Sequence, residues 1–103
     1  MTNNAMSLRK ATRTRLEKTA GMVMYEDLRA HVQGRAVFVV SPSLSLIDCG
    51  VAVAMDDVEV VQAWIDEGLL RRPSRAEMAA WAEEQHRRWR AVVVQPFTLV
   101  QET

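Results

Sequence analysis

The segment that most needs burial is LSLIDCGVAVAM at 44–55, the most apolar run of the chain, and it holds the only cysteine between Asp48 and Gly50. Its odd positions, Ile47, Cys49, Val51, Val53 and Met55, are sizeable and apolar, while Asp48, Gly50, Ala52 and Ala54 are small or polar. Alternate side chains of a strand leave opposite faces, so the segment reads as a β-strand over about 45–55 with Cys49 on its large apolar face and Asp48 pointing away. A cysteine among Ile, Val and Met is desolvated and its thiolate disfavoured. This predicts a structural residue rather than half of an Asp–Cys reactive centre.

The neighbouring segments punctuate themselves. RAVFVVS at 35–41 reads as a β-branched strand stopped by Ser-Pro-Ser at 41–43, which predicts a hairpin with the strand after it. Upstream, residues 1–6 read as a disordered tail, and Ser7 caps a helix over about 8–20 with a thin stripe of Leu8, Ala11, Leu16 and Ala20. Tyr25, Leu28 and Val32 then mark one face of a helix over about 24–33, with Gly34 placed as a left-handed C-terminal cap. Downstream, Asp56 and Glu59 have capping-box spacing before a helix that buries Val58, Val61, Trp64 and Ile65 and ends near Gly68. Ser74 and Glu77 form a second such box, ahead of a helix to about 86 with Met78, Trp81 and Ala82 on one face. A last strand starts near 89, and Pro96 inside it demands an edge or a bulge. The order is α-α-β-β-α-α-β. It predicts a single α+β domain over 7–103, built on a three-stranded antiparallel sheet with helices packed on it.

Composition narrows the function classes. At 103 residues, 49% hydrophobic and 25% charged, the chain is globular in character and large enough for one core. The lone cysteine fits a reducing cytoplasm. The basic N-terminus has no apolar run behind it, so no secretory signal is expected, and no stretch is apolar enough for a membrane span. Charge is sorted along the chain: residues 21–70 carry eight carboxylates against Arg29 and Arg35, while both ends are basic and the total is zero. Such sorting suits self-association through complementary patches, and the chain lacks the basic excess of a nucleic-acid binder.

No motif carries catalysis. Gly21, Gly34, Gly50 and Gly68 stand singly, so there is no phosphate loop; His31 and His86 have no ligand-spaced partner. No catalytic residue, metal or cofactor is expected. Two arginine clusters are the candidate binding residues. Arg71, Arg72 and Arg75 surround the helix start at Ser74, where unpaired N–H groups favour phosphate or carboxylate. Arg87, Arg88 and Arg90 with Trp89 form a basic-aromatic surface able to stack on a base. The favoured reading is a non-catalytic interaction protein that forms a homodimer through a sheet face or edge, because both faces of strands with Val37, Phe38, Val39, Val92 and Val93 need cover. The alternative is an anion, nucleotide or nucleic-acid binding module; an enzyme with an unrecognised site ranks last.

Two segments carry a family resemblance. SLSLIDCGVAVAMDDVEVVQAWIDEG followed by VVVQPFTLVQE resembles domain of unknown function 2288, a small bacterial family whose pattern has a D-L-V-x-V-A-V-A strand, an acidic pair, a helix with A-W, and a terminal V-V-V-x-P-W-x-L-V-Q. The likeness runs from about residue 15 to 102. Phe97 and Tyr25 stand where the pattern has tryptophan, and Met55 where it has an acid. The resemblance implies a shared fold and brings no activity or site residue.

Overall fold

A computed structural model describes residues 4–84 and 86–103. In chain order the elements are α1 (Asn4–Thr19), β1 (Gly21–Met24), α2 (Tyr25–Gln33), β2 (Val37–Val40), α3 (Leu46–Ala54), α4 (Val58–Asp66), β3 (Leu70–Arg71), α5 (Arg75–Glu83), β4 (Arg88–Val94) and β5 (Phe97–Glu102). The α+β class holds. The sheet, however, has five strands in the order β1-β4-β5-β2-β3, and it is mixed: β2 runs parallel to β5, and the other pairs are antiparallel.

Alternation along β2 and β4 divides the core in two. Val40, Val92, Val94 and Leu99 face Leu16 of α1 and Cys49 and Val51 of α3, with Val61 and Trp64 of α4 packed alongside. Val37, Val39, Trp89, Ala91 and Val100 face Leu28 and Val32 of α2 and Trp81 of α5. Both sheet faces are thus covered by helices of the same chain. Among the described residues of the strands, the large apolar side chains left exposed are Met22, Met24 and Val93.

The largest departure is at 45–55, which is not a strand and makes no hairpin with β2. Ser45 Oγ accepts the Asp48 N–H at 3.1 Å, and this N-cap starts α3. The helix is enclosed by α1, α4 and the sheet, so its apolar residues have no single face to mark. Its small residues serve close approach instead. A Cβ on Gly50 would stand 2.9 Å from Leu16 Cδ1 and 3.4 Å from Val92 Cγ1, so the glycine lets α1 and β4 close on the helix from two sides.

Three helices end in the same device. After α3, Asp56 N–H bonds Val53 O and Asp57 N–H bonds Ala52 O; after α4, Gly68 N–H bonds Ile65 O and Leu69 N–H bonds Trp64 O. After α2, Arg35 N–H bonds Val32 O and Ala36 N–H bonds His31 O. These are Schellman motifs, and each needs one residue at positive φ: Asp56 at 56°, Gly68 at 75° and Arg35 at 58°. Asp56 therefore terminates α3 and does not cap α4, whose N-cap is Asp57 with no side-chain bond. Gly34 stands one position early, at φ −81°, and is not the left-handed residue. Gly68→Ala is expected to cost about 1 kcal/mol, whereas Arg35→Gly is expected to stabilise by up to about 1 kcal/mol, both read from urea unfolding midpoints.

Smaller corrections follow from short elements. β1 pairs with β4 from Gly21↔Ala91 to Met24↔Arg88, a strand that four residues between helices do not announce. The C-terminal strand is two strands, joined at a two-residue turn with a cis Gln95–Pro96 bond. The tail expected over 1–6 lies partly outside the described residues, and α1 already runs from Asn4. The sorted charges meet within the chain: Arg13 reaches Asp48 at 2.6 Å, and Arg9 reaches Asp57 at 3.7 Å.

Candidate functional site

Cys49 is fully buried, and burial, reinforced by the Asp48 carboxylate, pushes its thiol up to about 11. The thiolate is therefore not the resting form near neutral pH, and the residue is structural as expected, though on a helix. Asp48 lies outside, paired with Arg13.

At the start of α5 the capping box forms as expected: Ser74 Oγ accepts the Glu77 N–H at 3.1 Å and Glu77 Oε1 accepts the Ser74 N–H at 2.9 Å. Arg71 completes it, with Nη1 and Nη2 donating to the two Glu77 oxygens at 2.6 and 2.9 Å. A carboxylate of the chain itself thus occupies both the helix end and the Arg71 fork. Arg72 points elsewhere, donating to the Arg35 carbonyl and lying 4.8 Å over the Phe38 ring, while Arg75 is exposed. The four residues are neighbours, but they do not converge on one point.

The hydrogen bonds from Arg71, with the Ser74 bond behind them, hold the Glu77 carboxyl at about 2, down from an ordinary 4.5. The folded state binds this proton more weakly than the unfolded chain. The stabilisation is therefore complete above about pH 4.5 and is lost as pH falls towards 2. Both side chains are partly solvated, so the effect is expected to be only about 1 kcal/mol. Glu77→Gln should flatten the stability profile across that window, measured by denaturant midpoints at stepped pH.

The second arginine cluster is split by the sheet. Trp89 is fully buried against Trp81, ring centroids 5.0 Å apart, and is no stacking platform. Arg87 bonds Glu84 and Glu102 and lies 5.4 Å from the Trp89 ring, so it closes the core edge. Arg88 and Arg90 leave β4 on the opposite face from Trp89 and are exposed.

Sequence reasoning missed the exposed side of α4. The helix has no buried residue: Val61 and Trp64 are half-buried, while Val58 is 62% exposed, Ile65 41% and Val60 39%. Beside it runs an apolar groove. One hollow is lined by Phe38, Val53, Val61, Ile65, Leu70, Phe97 and Leu99, and a second, at the Asp56–Val58 end, shares Val53, Val61 and Phe97 with it. Phe38 and Phe97 meet edge-to-face at 5.5 Å. The signal was present in VEVVQAWID, which is apolar over more of its circumference than one buried face needs.

His31 and His86 are both exposed, and the described residues hold no group of three side chains suited to a metal ion. No described helix is long and apolar enough to cross a membrane.

Residues 11–102 match the model of the family described as "Protein of unknown function (DUF2288)". The chain belongs to this family. The solution NMR structure of PA1075 from Pseudomonas aeruginosa has a similar fold, with a TM-score of 0.74 and 27% identity over 93% of this chain and 85% of that one. No curated protein matches the chain. Within the DUF2288 match lie α3, α4, β2, β3 and β5, the elements that line the groove.

Proposed function

We propose that the protein is a non-catalytic interaction protein that works as a homodimer, with α4 and the groove beside it as the contact surface. The observation that carries this reading is α4 itself. Its apolar arc runs from Val60 through Trp64 and Val61 to Ile65 and Val58, wider than its contact with the body, so both margins stand in water. Glu59, Gln62 and Asp66 keep the outermost stripe polar, which suits the rim of an interface around a drier centre. The paired Phe38 and Phe97 rings in the groove are the kind of aromatic anchor that concentrates binding energy. A second copy brings the same surface, so the contact is isologous and closes on itself. The fully buried lone cysteine suits a reducing cytoplasm.

Light scattering on a sizing column tests this reading. The wild-type chain is expected at twice the monomer mass. Val58→Asp with Ile65→Lys is expected to halve that mass while circular dichroism is unchanged, because an acid in the first turn and a base in the last both favour the helix dipole. A wild-type monomer at high micromolar concentration would reject the proposal.

A further inference from the structure

We infer that the corner between the end of α2 and the start of α5 binds a small organic carboxylate with an apolar body. The hollow shares no lining residue with the α4 groove and meets it only through Phe38 beneath Arg72, so ligand binding is read separately from the dimer. A hollow of about 190 Å³ lies there, lined by Val32, Arg35, Val37, Arg72, Pro73 and Met78. Its floor is apolar, because Val32 and Val37 belong to the core under the sheet and Met78 packs against them. Its charged lining residues are Arg35 and Arg72, both exposed, and among the described residues neither forms a salt bridge, unlike Arg71 and Arg87. Arg72 is held in place by its bond to the Arg35 carbonyl and by the Phe38 ring beneath it.

Arg35 supplies an independent reason. It occupies a left-handed position that glycine would fill without strain, and Gly34 stands next to it. Non-glycine residues at positive φ recur at ligand sites, and this one, set there by the Schellman end of α2, lines the hollow. Guanidinium groups match carboxylate oxygens in pairs, while the apolar floor favours a body of aromatic or branched carbon over a hydrated inorganic ion. The hollow is smaller than the roughly 300–1,000 Å³ of drug-sized sites, which limits the ligand to a small acid.

Titration calorimetry and thermal melts with phenylacetate test the site, using acetate, inorganic phosphate and 2-phenylethanol as comparators. Phenylacetate is expected to bind saturably and raise the melting temperature, and the three comparators, each lacking the ring or the carboxylate, are not. Arg35→Gly is expected to melt higher than wild type without ligand, yet bind phenylacetate at least about tenfold more weakly; Arg72→Gln should weaken binding similarly. No saturable binding up to about 10 mM would overturn the inference. So would phosphate stabilising as much as phenylacetate, or Arg35→Gly binding like wild type.

Discussion

Trp89→Ala is expected to destabilise the domain by about 3–5 kcal/mol, lowering the melting temperature by roughly 20 °C. Trp89 is fully buried on β4, paired through Val23 to β1 and through Glu102 to β5, and it meets the Trp81 ring at 5.0 Å. It therefore joins three strands to α5, and its removal leaves a void in the core cluster that also holds Leu28, Val39 and Val100. A domain of this size has about 5–15 kcal/mol in all, so this change alone brings it near unfolding. Trp89→Phe should be far milder, because the indole Nε1–H has no hydrogen-bond partner among the described residues and phenylalanine removes that unmet donor. Thermal melts of the two variants against wild type provide the check. Equal losses would mean that ring volume is not what holds this half of the core.

Leu16→Ala is expected to cost about 2–5 kcal/mol and to release α1. Leu16 is buried, and its Cδ1 sits over Gly50 at the closest approach of α1 to α3. Elsewhere α1 meets the body through a long Thr12 Oγ1–H to Met55 Sδ bond at 3.9 Å and two ion pairs, Arg9 with Asp57 and Arg13 with Asp48, which surface screening makes weak. Hydrogen exchange should show α1 amides losing protection before the sheet does. Retained protection throughout α1 would show that the helix is held by more than this one side chain.

α2 and α5 are readable because each has one apolar face, β2 because its β-branched run stops at Ser-Pro-Ser, and the Ser74–Glu77 box forms as the spacing implies. At 45–55 the period misleads. A helix buried on three sides needs apolar residues all round and small ones where neighbours approach, and this imitates the alternation of a strand. The cap at Ser45, with Asp48 three residues on, was the better signal. Asp56 misled in the same way, since an aspartate that tolerates positive φ can end one helix as readily as start the next. With 45–55 helical, the return path reverses and β2 lies parallel to β5.

The sites divide along the same line. Burial of Cys49 was legible because apolar neighbours desolvate a thiol on a strand or a helix alike. The arginines were legible as positions and not as a site: which guanidinium meets a carboxylate depends on contacts across six residues at Arg71 and Glu77, or fifteen at Arg87 and Glu102. Arg35 drew no notice in the sequence because its importance comes from a backbone conformation and from a hollow that the α5 turn closes.

Isotope-filtered NMR on a mixture of labelled and unlabelled chains tests the homodimer most directly. If α4 is the contact, intermolecular NOEs should connect methyl groups of Val58, Val60 and Ile65 with protons of the other chain, the Phe38 and Phe97 rings among them. A filtered spectrum in which those methyls show no intermolecular NOE, at a concentration where light scattering finds a dimer, would contradict the assignment of α4 as its interface.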